Sequence, residues 1–218
     1  MIVAVANTKG GTGKTTTAVQ LALYRKVVKN RDVWLVDGDE QETALTAMGI
    51  RVDSGVSPEM PCSLFTDGRT LMNQIRAQAA KWDDVIIDVG GRATETLRAA
   101  MMVCDVLVIP VQPRCYDVWA LSKLEQVIQS ARTIGADFRT VCFLSCADSQ
   151  GKENEAAIEA IQTYSQSVDF YNIPLIRRKA FAMASGNGLS VFEYRPKDPK
   201  ACQEISRLAE AIFEPVED

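Results

Sequence analysis

Histidine is absent from all 218 residues, which removes imidazole acid–base catalysis, His metal ligands and His-activated nucleophiles. The six cysteines, at 62, 104, 115, 142, 146 and 202, form no C-x-x-C pair. Cys142 and Cys146 stand four apart, but with no second pair and no histidine a zinc site is not expected. Cys104 and Cys142 lie in or beside apolar runs and read as small buried hydrophobes, the reduced thiols of a cytosolic protein. No apolar stretch approaches the roughly 20 residues that cross a bilayer. Met1 leads directly into an apolar run without a basic flank or cleavage site, so no signal peptide is expected. Positive charge is scarce too: 24 Lys and Arg against 28 Asp and Glu give a net charge of −4. Nucleic-acid binding would therefore have to come from a local patch.

What the chain does contain is a recurring alternation. Apolar, largely β-branched runs at Ile2–Ala6, Val33–Val36, Val85–Ile87, Val106–Val111, Thr140–Leu144 and, more weakly, Val168–Ile173 are continuous rather than alternating. That pattern belongs to strands buried on both faces of a parallel sheet. Between them lie helical spacings: Val19, Ala22, Leu23 and Val27; Leu121, Leu124, Ile128 and Ala131; Cys202, Ile205, Ala209 and Ile212. The region Asp53–Thr66, with Pro58 and Pro61, reads as an irregular connection. The fold class expected is α/β, a doubly wound, mostly parallel sheet flanked by helices on both faces, with ligands at the carboxyl ends of the strands. No repeat or linker divides the chain, so residues 1–218 read as a single domain.

The most specific motif follows the first run. Lys9-Gly10-Gly11-Thr12-Gly13-Lys14-Thr15-Thr16 sits between strand and helix in the pattern G-x-x-x-x-G-K-[ST], the phosphate-cradling P-loop. Gly10, Gly11 and Gly13 bring backbone N–H groups close to an anion, and the helix beginning near Lys14 adds its positive end. Lys14 supplies a point charge for the β- and γ-phosphates, and the Thr15 hydroxyl is placed to ligate Mg²⁺. ATP binding and hydrolysis are the expectation. Two acidic candidates stand at the ends of apolar runs. Asp37-Gly38-Asp39-Glu40-Gln41 follows the second run. Asp88 closes Val85-Ile86-Ile87 in a Walker B pattern, whose carboxylate would hold Mg²⁺ directly or through water. Each acid could alternatively be a solvated loop residue or a helix N-cap, and Lys9 a solvated loop lysine.

The Lys9–Thr16 loop resembles the deviant Walker A motif of the ParA/MinD ATPases, and further matches extend that likeness over about residues 1–213. Val36–Gln41 is similar to the family's V-D-x-D-P-Q with Glu40 in place of proline. Asp105–Pro113 resembles its D-x-V-L-I-P-V-Q-P, followed here by Tyr116-Asp117-Val118-Trp119. Gly188–Tyr194 looks like its G-x-x-V-x-E-Y element. Val89-Gly90-Gly91 departs from the usual Thr-Pro-Pro after the Walker B acid. The resemblance implies that Lys9 reaches across an ATP-bound homodimer to the partner's phosphates, that Asp39 orients or activates the attacking water, and that Asp37 lies near the magnesium. It also implies sequence-independent DNA binding and a centromere-binding, ParB-like adaptor, as in short partition ATPases without a helix-turn-helix domain, in the cytoplasm and on the nucleoid if DNA is bound. Arg177, Arg178 and Lys179 form the best basic cluster for DNA, with Arg195, Lys197 and Lys200 second; a solvated charged turn is the alternative.

Several rivals share the fold. A MinD-like membrane cycle would need a basic amphipathic C-terminal helix, whereas this chain ends in Phe213-Glu214-Pro215-Val216-Glu217-Asp218. A nitrogenase-iron-protein-like reductase would need glycine-flanked cluster cysteines, and a bacterial tyrosine kinase a terminal tyrosine cluster. A ligase of the dethiobiotin-synthetase type should not need Lys9. An ATP-gated adaptor recruiting DNA-transfer or cell-division machinery is the main alternative to a partition ATPase. The base contacts can only be guessed from position, at Cys146–Ser149 and Ile173–Arg177.

Overall fold

The strands in chain order are β1 (Ile2–Val5), β2 (Val33–Gly38), β3 (Cys62–Leu64), β4 (Asp84–Val89), β5 (Val106–Val111), β6 (Arg139–Ala147) and β7 (Leu175–Ile176). They form one parallel sheet in the order β3-β2-β4-β1-β5-β6-β7. The computed structural model describes residues 1–91, 95–149, 152–163 and 167–214, without the side chains of 115–119. The acidic tail beyond Glu214 and the side chains of Tyr116–Trp119 therefore lie outside the described residues.

Every residue of β2, β4 and β5 is buried, as continuous apolar runs require when helices cover both faces of a sheet. Side chains still alternate between faces. Ala4, Val36, Ile87, Leu107 and Ile109 enter one core layer, and Val3, Val5, Leu35, Ile86 and Val108 the other. The helices are α1 (Lys14–Leu23, running on through a wider turn, Tyr24–Val28), α2 (Thr43–Asp53), α3 (Gly68–Gln78), α4 (Glu95–Met101), α5 (Cys115–Thr133), α6 (Lys152–Gln162), α7 (Lys179–Gly186) and α8 (Pro199–Phe213). Leu71, Leu97, Leu121, Leu124, Ile128 and Ile161 pack the first layer; Val19, Ala22, Met48, Ala184, Ile205 and Ile212 pack the second. Among the described residues no helix is long and apolar enough to cross a membrane.

Two expectations are corrected. The connection over Asp53–Thr66 contains β3, an edge strand pairing Cys62, Ser63 and Leu64 with Leu35, Val36 and Asp37. Val168–Ile173 is no strand. It meets β6 at a single bridge, where Cys142 bonds the Asp169 carbonyl (2.8 Å) and the Tyr171 N–H (2.7 Å). Thr140 and Asp169 exchange side-chain bonds just before it. The Ile173 N–H then turns back to the Tyr171 carbonyl at 2.8 Å, and pairing resumes only at β7.

Candidate nucleotide-binding site

The order of the sheet decides which strand ends meet. β4 lies between β2 and β1, and register pairs Asp88 with Asp37 on one side and with Val5 on the other. Neighbouring strands are about 4.8 Å apart, so the two acids stand beside the start of the glycine loop.

The loop itself is anchored from three directions. Asn7, fully buried, donates from its side-chain amide to the Pro110 carbonyl (2.9 Å), and its side-chain oxygen accepts the Lys9 N–H (3.1 Å). The Gln112 amide donates to the Gly11 carbonyl at 2.6 Å. The Lys14 ammonium donates to the Lys9 carbonyl at 2.9 Å. Gly13 caps α1 in the left-handed region (φ 85°), and a Cβ there would stand 2.7 Å from the Ser145 hydroxyl. Glycine is therefore required twice over, by backbone angle and by space. The first N–H groups of α1 have no partner within the helix and face the loop, as an anion site needs.

Electrostatically the site is a small basic loop over buried acids. Burial lowers the Lys14 pKa, with Asp88 and Asp39 acting in the opposite direction. Burial pushes the Asp88 carboxyl up to about 7; the Thr15 hydroxyl and Lys14 favour its ionised form, and Asp37 and Asp39 oppose it. Neither Asp88 oxygen accepts a hydrogen bond of good geometry, although the residue is 1% exposed. Such an orphaned buried carboxylate asks for a partner, and a cation beside the Thr15 hydroxyl would supply one. Among the described residues no three acidic or thiol side chains are grouped so as to hold a metal ion by themselves. A phosphate-bound Mg²⁺ takes its remaining ligands from phosphate and water, so a sparse donor set fits it.

The other acids are engaged differently. Both oxygens of Asp37, a fully buried residue, are used: they accept the Asp39 N–H and the Leu45 N–H, each at 3.0 Å. Burial raises its pKa and these backbone bonds lower it, with a net rise. Asp37 thus shapes the turn and tethers the start of α2. Asp39 is half-buried, and one of its oxygens accepts the Gln41 N–H at 3.1 Å.

Beside the loop, a cavity of about 190 Å³ is lined by Gly13, Thr16, Ser145, Cys146, Ile176 and Phe181, with Arg177 and Arg178 also on its wall. Of the two segments guessed for base contacts, Cys146 of the first and Leu175, Ile176 and Arg177 of the second line it. Of the basic cluster, Arg177 and Lys179 are exposed. Arg178 is not available: its guanidinium is held by Glu204 at 2.7 and 2.9 Å, with Asp198 at 3.8 Å. Arg195, Lys197 and Lys200 are exposed.

Sequence reasoning missed Asn7, Gln112 and Ser145. A polar residue at the exit of a wholly apolar strand was the available signal for Asn7; for the other two only spatial closure shows the contact. It also missed the brace behind the site. Arg51, fully buried at the end of α2, forms a two-pronged pair with Glu193 (2.8 and 3.0 Å) and donates to the Pro58 and Gly188 carbonyls. Gln20 of α1 ties to the same segment through Ser185, Leu189 and Val191.

Comparison with known proteins agrees with this geometry. The Halothiobacillus neapolitanus maintenance of carboxysome distribution protein A is 26% identical, covering 96% of this chain and 95% of that protein. The Thermus thermophilus chromosome-partitioning ATPase Soj is 25% identical, covering 99% and 96%. The structure of a Cyanothece McdA variant in complex with ATP superposes with a TM-score of 0.80 at 18% identity, covering 97% and 95%. The CobQ/CobB/MinD/ParA nucleotide binding domain matches residues 3–216, and the chain belongs to that family.

Proposed function

We propose that residues 1–218 form one Mg²⁺-dependent ATPase domain that dimerises on ATP and positions a large cargo, DNA in the first instance. One observation carries the reading: a buried Asp88 carboxylate with no hydrogen bond of good geometry, beside the Thr15 hydroxyl at the foot of a P-loop. Lys9, Gly10, Gly11, Thr12, Gly13, Lys14, Thr15 and Thr16 cradle the triphosphate. The cavity beside Gly13 takes the base. Thr15 and Asp88 would hold Mg²⁺, which would offset phosphate charge. Asp37 holds the turn that carries Asp39, and Asp39 orients the attacking water. Lys14 donates its ammonium to the Lys9 carbonyl, at the place where it would also meet phosphate oxygens. Lys9 then reaches the partner's triphosphate, so ATP joins two identical subunits.

The names of the two relatives support positioning as the biological task, one of carboxysomes and one of chromosomes. Exposed Arg177 and Lys179 support contact with the DNA backbone. A ParB-like adaptor would then couple cargo to the dimer. The carboxysome relative favours a second reading, an ATP-gated adaptor whose cargo is a protein body.

Analytical sedimentation with Mg-ATP tests the scheme. The wild type cycles and Asp39→Ala accumulates as dimer. Lys9→Ala stays monomeric and loses dimer-linked phosphate release. An Asp39→Ala protein that binds ATP yet remains monomeric would refute the dimer switch, and Lys9→Ala with unchanged turnover of a small substrate would favour a ligase.

A further inference from the structure

The turn after Asp88 carries two glycines, Gly90 and Gly91, where the residues this loop resembles are prolines. Neither has φ in the left-handed region, so backbone conformation does not demand glycine at either position. Space does. A Cβ on Gly90 would lie 3.2 Å from the Asp39 carboxyl carbon and 3.3 and 3.4 Å from its oxygens. A Cβ on Gly91 would lie 3.1 Å from the Lys14 ammonium and 3.2 and 3.3 Å from the Gly10 Cα and nitrogen. The two missing methyls thus face two different functional groups from successive residues.

Resting on the function proposed above, we propose that Gly90 and Gly91 are separate positioning residues: Gly90 leaves the room that sets the Asp39 carboxylate, and Gly91 the room that sets Lys14 and the phosphate loop. The obstacle differs in kind. Asp39 is half-buried and one of its oxygens is fixed by the Gln41 N–H, so a methyl at position 90 pushes the acid off its line of attack and leaves the loop untouched. At position 91 the ammonium end of Lys14 can give way, but the Gly10 backbone cannot without moving the anion cradle. A displacement of a few tenths of an ångström matters little to folding and much to a reaction that depends on alignment.

The experiment is a comparison of Gly90→Ala and Gly91→Ala with the wild type, in hydrolysis and in binding. Gly90→Ala should lower kcat by about tenfold with KM for ATP nearly unchanged, and Gly91→Ala should raise KM and the ATP dissociation constant by about tenfold with a smaller effect on kcat. A thermal-melting cycle with Asp39→Ala, run without nucleotide, checks the contact itself: the loss in Tm caused by Gly90→Ala should shrink when the Asp39 carboxylate is gone, whereas the loss caused by Gly91→Ala should not. Unchanged kinetics, both variants altering the same parameter, or equal Tm losses in both backgrounds would overturn the assignment. A wild type that binds no ATP would sink the proposed function, while the melting cycle would still decide whether Gly90 abuts Asp39.

Discussion

Replacing Asp88 with asparagine should flatten the pH dependence of stability, and its size follows from the burial of one carboxyl group. Asp88 rises from 3.8 to about 7 because the fold strips it of water and gives it no hydrogen-bond donor of good geometry. The native state therefore binds this proton more tightly than the unfolded chain does. Stability at this site is greatest below the ordinary carboxyl value and falls as pH climbs from there through about 7, because the unfolded chain gives up a proton that the native state still holds. Linkage over that interval gives a loss of about 2–3 kcal/mol between about pH 5 and about pH 8. Asparagine keeps the shape and cannot ionise, so Asp88→Asn should lack that slope. Asp37, also raised by burial, remains in both proteins. The assay is urea unfolding of nucleotide-free wild type and Asp88→Asn across this range. Mg-ATP should restore the wild type at the alkaline end and leave the variant unmoved. Parallel pH profiles for the two proteins would refute the idea that this carboxylate waits, protonated and unpartnered, for a cation.

Two further outcomes are expected. Arg51→Ala leaves Glu193, whose carboxylate is 16% exposed, without its two-pronged partner, and should cost about 3–5 kcal/mol in denaturant unfolding; a loss under about 1 kcal/mol would mean that the brace between α2 and the Gly188–Glu193 segment contributes little. Arg177→Ala combined with Lys179→Ala should weaken DNA binding similarly for all sequences and lower the salt slope by up to about 2, whereas Arg178→Ala should act on folding instead. Binding that survives the double change would move the DNA face elsewhere, with Arg195, Lys197 and Lys200 next in line.

Much of the fold and half of the site could be read from the sequence, and the division has a physical cause. Residues that bear chemistry at strand ends announce themselves, because a continuous apolar run that stops at an acid or a glycine loop is a local pattern. The strand ends that carry the phosphate loop, Asp39 and Asp88 were legible in this way, as were Leu121, Leu124, Ile128 and Ala131 on the buried face of α5. Contacts made by closure were not. Gln112 and Gly11 are 101 residues apart, and Arg51 and Glu193 are 142 apart; nothing periodic links them. β3 was missed because a three-residue, half-exposed edge strand carries too little alternation to stand out.

Charge counting failed for the same reason. Arg177-Arg178-Lys179 reads as three cations in a row, but Glu204, 26 residues later, folds back and neutralises the middle one. The acids teach the converse. Asp37 and Asp88 look equivalent in the chain, each ending an apolar run, and register sets them side by side. What separates them is the backbone: Asp37 meets two N–H groups offered by the turn into α2, while the course of the chain after Asp88 offers none. A carboxylate with its oxygens already spent on amides is a poor metal ligand and a good hinge pin. One that meets no backbone N–H in the interior is poorly stabilised as an anion, and a cation would relieve it. The division of labour proposed for them thus rests on the direction the chain takes after each residue.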